Sequence, residues 1–570
     1  MTVSSYLSID VSSQHARAWL FENQSGIFQL VSHTVNPFVL TDDRALLSAI
    51  EQSIHEIEKN TGMGLLSGSR RFQIEPDQNI PGLRGVGLTT SIGKAIRVVL
   101  VGISEKYSLE PLRRLARFYN TEIVLEICLQ NEPNISTQLH QLTNTAFDLL
   151  ILAGGLDGGP EKALRAVISN LRLLVQIRGG ANRPQIVYAG NQSLADYAKM
   201  EIEAGDDLHI AGNIQPESGR EDLSFASKAL LTAIRRLRLK EFPELQELAD
   251  QANVLFFPGE FARARMDHWL EQTQTNGKGV LQIHLEPDHA HAIAVQDGKR
   301  MGVWQNSMVD DEMIPAVLLQ SDQPLEQART AAFLANRELH PGFVPVTIEE
   351  MSMEIAWMCV RIRRLLSEMA VLHENFHYDD RLGLLDDFEP ILLSGSSFER
   401  LPSARHMFMV AQDGILPHGI TTLVGDDYQL ITALGALAEF DPLLVTQIVD
   451  SDVFNGLATV VNVDSLVAAG EKVLQLEVDE GYGEAREHYQ VYQAELKRFE
   501  TVPGIDLRVY LAPEPESDVG MGLRGLGGWL NANPSNLGLV VDARGRPCFL
   551  PVDEQKRQEA RRDWLWNLGA

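Results

Sequence analysis

The sequence predicts an α/β protein. Three observations carry the prediction: strands and helices alternate from about residue 96 to 231, one hairpin pattern occurs twice, and the chain beyond about 462 turns to strands rich in glycine and proline. The first hairpin joins Tyr6–Val11 to Ala16–Phe21 through the polar turn Ser12-Ser13-Gln14, and Ile27–Val35 continues it as a third strand. An amphipathic helix follows over Asp43–Asn60, with Leu46, Ile50, Ile54 and Ile57 on one face.

Gly82–Gly93 is rich in glycines and hydroxyls and leads into the apolar strand Ile96–Val101. From there the chain predicts a helix from Leu109, strands at Glu122–Ile127, Leu149–Leu152 and Gln185–Ala189, and helices from Glu161 and over Leu223–Arg238. That alternation implies a parallel sheet with helical crossovers. Two of its strands run into glycine turns, Gly154-Gly155-Leu156-Asp157-Gly158-Gly159 and Gly190-Asn191-Gln192, on one sheet edge. Such a turn is either a tight reversal or an anion cradle with Asp157 at a polar-ligand site, and spacing alone leaves both open.

Val280–Leu285, the acidic turn Glu286-Pro287-Asp288-His289 and the strand His291–Val295 repeat the opening hairpin in type and order. They start a second, related half. That half is mostly helical, above all over Ile348–Leu372, until the strand Pro390–Leu393 ends in Ser394-Gly395-Ser396-Ser397; a further helix spans Tyr428–Phe440. The expected domains are 1–276 with an α/β insertion at about 95–240, 277–461, and a β-rich 462–570 closed by a helix over Asp553–Leu568.

Composition bounds the function. The chain has 570 residues and a formal charge of -28, a field that repels phosphate backbones, so no nucleic-acid partner is expected. The basic run Arg235, Arg236, Arg238 and Lys240 has helical spacing and reads as a solvated face. Cys128, Cys359 and Cys548 are far apart, which predicts neither disulfides nor a cysteine metal site and fits a reducing cytosol. No apolar run reaches spanning length and Met1–Ser13 lacks signal-peptide features, so a soluble, cytoplasmic protein without a membrane partner is expected. His284, Asp288, His289 and His291 match no common zinc spacing and read as histidines loosely placed on a solvated turn. His373-Glu374-Asn375-Phe376-His377 fits a His-Glu-x-x-His pattern, but it falls at a helix end with no third ligand in view.

Phe147–Gly159, with Ile186–Asn191 and Asn213–Pro216, resembles the MutL family associated with glutamate mutase. Ile391–Ser396, Gly419–Leu423 and Leu434–Pro442 resemble that family's later half. The family is similar to the actin, sugar-kinase and DnaK-type chaperone superfamily. The resemblance implies two ribonuclease-H-like halves of the actin/sugar-kinase type, an inserted parallel α/β subdomain in the first, and ATP with Mg2+ as cofactors. It would place the cofactor on Asp10, Ser12, Ser13, Ser394, Gly395 and Ser396, with Asp10 at the metal. The departures from the pattern point the other way. Ser12 and Ser13 stand where the first turn carries glycine; the second turn has lost its glycines and threonines; and Pro287 removes a backbone donor. The expectation is a chaperone or reactivating-type protein that binds subunits of a cobalamin-dependent mutase, a pseudoenzyme with lost or weak ATPase activity and no catalytic residue. The alternatives are an active Mg-ATP-dependent ATPase or small-molecule kinase, and a scaffold working through the residues beyond 462.

Overall fold

The computed structural model describes residues 4–39, 45–67, 71–74, 82–131, 134–179, 183–252, 256–274, 277–451, 453–479, 487–500 and 506–569. Asp43, the expected start of the first helix, lies outside them, and the helix is described over Ala45–Thr61. The chain forms two compact units, one of Met1–Arg263 with Thr432–Ile448 and one of Ala264–Ile431 with Val449–Ala570.

In the first unit, β1 (Ser4–Val11), β2 (His15–Gln24) and β3 (Ile27–Pro37) form an antiparallel meander. β4 (Gly82–Thr90) adds parallel to β1, and β10 (Phe256–Pro258) adds parallel to β4. The glycine-rich stretch is thus largely a strand. Its glycines let a helical segment approach, since a Cβ on Gly85 would stand 2.9 Å from the Phe440 ring and one on Gly87 3.0 Å from Ala436 Cβ. Helix Ala45–Thr61 buries Leu46, Ile50, Ile54 and Ile57, the stripe its spacing predicts.

Between β4 and β10 the chain builds a separate parallel sheet from β5 (Ile96–Gly102), β6 (Thr121–Cys128), β7 (Leu149–Gly154), β8 (Gln185–Gly190) and β9 (Leu208–Ile210), in the order β6-β5-β7-β8-β9. Every residue of β7 and β8 is buried, because helices cover both faces of a parallel sheet. Arg238 of helix Ser224–Glu241 is 5% exposed and donates to Lys94 O (2.7 Å) and Glu241 Oε2 (2.7 Å), while the Arg235 guanidinium lies 5.8 Å from the Phe257 ring. The basic run is therefore a solvated face only in part: Arg238 is buried with its charge answered by Glu241 and Arg235 is half-buried, while Lys240 stays exposed.

The second unit repeats the first sheet's order. β11 (Gly279–Leu285), β12 (His289–Gln296) and β13 (Lys299–Asn306) form the meander, and β16 (Phe388–Ser394) and β17 (Gly419–Gly425) add in parallel. A two-residue ladder, β14 (Tyr378–Asp379) with β15 (Gly383–Leu384), stands apart. The main sheet continues through β18 (Asn455–Asn462), β26 (Leu539–Asp542) and β22 (Leu496–Phe499) to eight strands. Residue 462, the expected domain boundary, ends β18 within this sheet. Beyond it, β20 (Lys472–Asp479), β21 (Glu487–Tyr492), β23 (Leu507–Pro513) and β25 (Gly528–Ala532) form an antiparallel sheet. β19 (Asp464–Ser465) and β24 (Ser517–Asp518) form a short ladder. Leu496, Val540, Trp564 and Leu568 share one core with Leu281, Ile391 and Met407. A buried ion network supports the same join: Asp542 pairs with Arg544 (2.9 Å) and Arg546 (3.2 Å), and Asp413 with Arg544 (2.7 Å) and Arg561 (2.6 Å). These arginines hold the buried Asp413 and Asp542 carboxyls well below the usual carboxylate range, against the opposing pull of burial.

Helix Ile348–Leu372 begins at a capping box, Thr347 Oγ1 accepting from Glu350 N (3.1 Å) and Glu350 accepting from Thr347 N (3.1 Å). Among the described residues no helix is long and apolar enough to cross a membrane.

Candidate functional site

In the first unit the ends of three neighbouring strands carry the polar residues. Register places Val11 beside Thr90 and Thr90 beside Pro258, so the residues that follow form one rim at the carboxyl edge. Asp10 is 7% exposed; its Oδ1 accepts from Thr89 Oγ1 (2.7 Å), and Arg17, its cross-strand partner, brings Nη1 to 3.9 Å from Oδ2. A buried guanidinium thus already answers part of the charge that a cation at Asp10 would use. Ser12 closes its own turn. Its amide donates to His15 O (2.9 Å), and its hydroxyl accepts from His15 N (3.2 Å), so these groups are spent within the turn. Ser13 is the next turn residue and is half-buried.

Thr89, Arg17 and Glu260 were missed by sequence reasoning. Glu260 is 3% exposed in the first turn of helix Gly259–Gln274, and its Oε1 accepts from Asn120 N at 3.3 Å. The available signal was Pro258-Gly259-Glu260 directly after two phenylalanines, a strand stopped by a helix-opening pair.

The second unit brings together Ser394, Gly395 and Ser396 with the hairpin turn. Arg361, from helix Ile348–Leu372, donates to Glu286 O (2.8 Å) and His289 O (2.6 Å), clamping the turn from below. Burial pushes the Arg361 guanidinium down to about 10. The Glu286 carboxylate accepts from Ser396 N (3.1 Å) and from the Ser396 hydroxyl, and lies 3.7 Å from His284 Nε2. Gly395 sits at φ +104°, where a Cβ would stand 2.1 Å from Leu285 O; its amide donates to Gln429 Oε1 (2.9 Å). Ser394 Oγ lies 3.0 Å from both Asp426 Oδ2 and Gln429 Oε1. Asp426 accepts from Leu430 N (2.6 Å) and Ile431 N (3.1 Å), yet burial raises its carboxyl to about 7. The named polar groups of Ser394–Ser396 all have protein partners.

The histidines correct an expectation. His284, His289 and His291 are 4%, 2% and 0% exposed rather than solvated. His289 stacks on Trp304 at 4.1 Å, and His291 lies 5.6 Å from the same ring, because β12 packs against β13. Among the described residues no group of three or more His, Cys, Asp or Glu is placed to hold a metal. The His-Glu-x-x-His stretch does not form a helical pair. The helix stops at Leu372, His373 lies 3.3 Å from both the N and O of Gly302, and His377 Nδ1 is 2.8 Å from Asp386 Oδ1.

The glycine turn after β7 is knitted to its neighbours. Asp157 accepts from Gln192 N (2.9 Å) and Asn213 Nδ2 (2.8 Å), while Gly158 N donates to Asn191 Oδ1 (3.2 Å) and Asp157 N to Pro216 O (3.2 Å). The tight-reversal reading accounts for these groups, and Tyr188 beneath the turn, raised by burial, donates to Asn191 O at 2.8 Å.

The fold and the two strand ends define an α/β protein with a duplicated mixed sheet, polar at its carboxyl edges and interrupted by a parallel insert. The MutL protein family model matches residues 6–284, just under half of the chain. No curated protein matches. Among solved structures, the ATP-dependent caprolactamase from Pseudomonas jessenii is 12% identical, with 85% of this chain and 81% of that chain covered and a TM-score of 0.33. Gluconate kinase from Lactobacillus acidophilus is 9% identical, covering 78% and 92% at a TM-score of 0.30. A diol dehydratase-reactivating factor in nucleotide-free form is 8% identical, covering 77% and 100% at 0.29. At TM-scores this low the likenesses carry no argument about what the chain binds or does.

Proposed function

We propose that the chain is a MutL-type chaperone or reactivating-type protein that serves a cobalamin-dependent mutase of the glutamate mutase kind, acting by binding, with ATPase activity lost or weak. The match of residues 6–284 to the MutL family supports the partner class. The shared order, β3-β2-β1-β4-β10 and β13-β12-β11-β16-β17, supports two ribonuclease-H-like halves of the actin/sugar-kinase type.

The observation that carries the binding-protein reading is Glu286, whose carboxylate rests on the amide and hydroxyl of Ser396. A carboxylate there repels phosphate, Pro287 contributes no amide, and Arg361 holds the turn as it is. The second hairpin does not fit a phosphate cradle. Capture of mutase subunits by the tagged full chain, together with no calorimetric heat from Mg-ATP, is the expected result. Tight Mg-ATP binding without mutase capture would overturn it.

A second reading, a Mg-ATP-dependent ATPase or small-molecule kinase, is favoured by Asp10 and Glu260 at the same carboxyl edge of one sheet. In it Asp10 holds the metal, Ser12 and Ser13 face the phosphates, and Ser394, Gly395 and Ser396 the adenosine. Binding heat that vanishes in Asp10→Ala would establish this reading over the first.

A further inference from the structure

At the carboxyl edge of the first sheet lies a small cavity of about 10 Å³ lined by Thr90, Ser91, Tyr119, Asn120, Arg238 and Glu260, among others. That is space for one water-sized body. Two acceptors on its wall lack a hydrogen-bond donor among the described residues: Glu260 Oε2 and Asn120 Oδ1. Both residues are more than nine-tenths buried, at 3% and 7% exposed. Their other polar atoms are spoken for, Glu260 Oε1 by Asn120 N and Asn120 Nδ2 by Gly93 O at 3.2 Å. A buried carboxylate oxygen and a buried amide oxygen left without donors are both costly, and together they call for a positive or donor-rich occupant.

We infer that this cavity is a binding site for a monovalent cation of the potassium or ammonium class, held by Glu260 Oε2 and Asn120 Oδ1. The charge count selects the class. Among the described residues Glu260 is the one carboxylate on the wall, and a divalent ion without further acidic ligands would remain poorly neutralised. Two donorless acceptor oxygens on lining residues disfavour an anion. Arg238, the cation on the wall, has its Nη1 committed to Lys94 O and Glu241 Oε2, both at 2.7 Å. Potassium and ammonium match water in size, and hard oxygen donors suit both. The occupant would tie together β4, the chain leaving β4 at Gly93, and the first turn of helix Gly259–Gln274, which are the two points where the insert departs and returns. The site is independent of any nucleotide and does not depend on the reading of the two hairpins.

The test is thermal unfolding of the full chain in potassium or ammonium chloride against choline chloride at equal ionic strength. Ligand binding to the folded state alone should give a saturable rise in Tm on the order of 2–5 °C with the small cations. Glu260→Gln should abolish the rise while Glu241→Gln keeps it. Equal Tm values in the three salts, or an undiminished rise in Glu260→Gln, would overturn the site. Should Glu260→Gln fail to fold, Asn120→Asp adds a second carboxylate and should strengthen the response; an unchanged or weaker one counts against the site. Crystals grown with thallium(I) supply a direct view. An anomalous peak between Glu260 and Asn120 supports the cation, and a peak with no anomalous signal leaves a water in its place and overturns it.

Discussion

The two hairpins enter their sheets alike, an apolar strand, a short polar turn and an antiparallel return, yet they stabilise their turns by opposite means. The first closes on itself, Ser12 exchanging bonds with His15, with Asp10 and Arg17 paired across the strands above it. The second is held by a distant residue, Arg361, and its acidic side chain reaches away to Ser396. A turn made by local bonds can keep or lose a neighbouring ligand without collapsing. A turn clamped by a buried arginine is a fixed part of the core, which is why the second half reads as the more structural of the two.

That contrast can be broken most sharply at Arg361. Arg361→Ala leaves two buried carbonyls and the nearby carboxylates without its charge, and should cost about 3–5 kcal/mol in denaturant unfolding. A loss below about 1 kcal/mol would show that the clamp is not needed. Gly395→Ala comes next: the positive φ alone should cost about 1–3 kcal/mol, and the close approach to Leu285 O adds to it. The same measurement reads it.

The two sheets should also answer pH in opposite directions. Burial raises the Asp426 carboxyl from its ordinary 3.8 to about 7, so between those values the unfolded chain releases a proton that the folded one keeps. Stability from this group is greatest below the lower value and falls as pH rises to about 7. Asp426→Asn should remove that slope. Burial, with Arg17 adding to it, lowers His33 from 6.5 to about 4, so its contribution is present above 6.5 and falls as pH drops toward 4. His33→Gln should flatten the acid limb, and an unaltered limb would place its cause elsewhere. The smallest effect belongs to the self-closed turn: Ser12→Ala loses the two local bonds of its hydroxyl with His15 and should cost about 1 kcal/mol.

The sequence showed a good deal of this because much of the fold rests on local pattern. Ile348–Leu372 was legible to the residue, since Thr347 and Glu350 mark its start and an unbroken apolar stripe carries it. The insert's strands were legible because a parallel sheet buried on both faces leaves continuous apolar runs. Gly82–Thr90 hid its strand because glycines there serve a packing surface far along the chain, at Ala436 and Phe440. The turns at Ser12 and Glu286 were found by position, whereas their pairings were not. Arg17 and Arg361 meet them across strands or from a remote helix, and Ser396, itself a named candidate, pairs with Glu286 in a way that no linear pattern encodes. Glu260 was passed over for the same reason. Its neighbour Asn120 lies 140 residues earlier, within the insert.

The segment Thr432–Ile448 has a consequence for how the chain is made. It belongs with the first unit, where Ala433 O accepts from the Ser8 hydroxyl (3.4 Å), Asp441 from Tyr6 (3.4 Å), and Gln447 Oε1 from Phe28 N (2.8 Å). During synthesis the first sheet therefore emerges long before the residues that complete it. Its strands must wait, with Gly85 and Gly87 uncovered, while most of the second unit's sequence is translated. A nascent chain halted before residue 432 should expose that surface to proteolysis or to a holding chaperone, and one extended past 448 should not. The first unit is thus the earlier to start, yet it is complete only after Ala264–Ile431 of the second has been made.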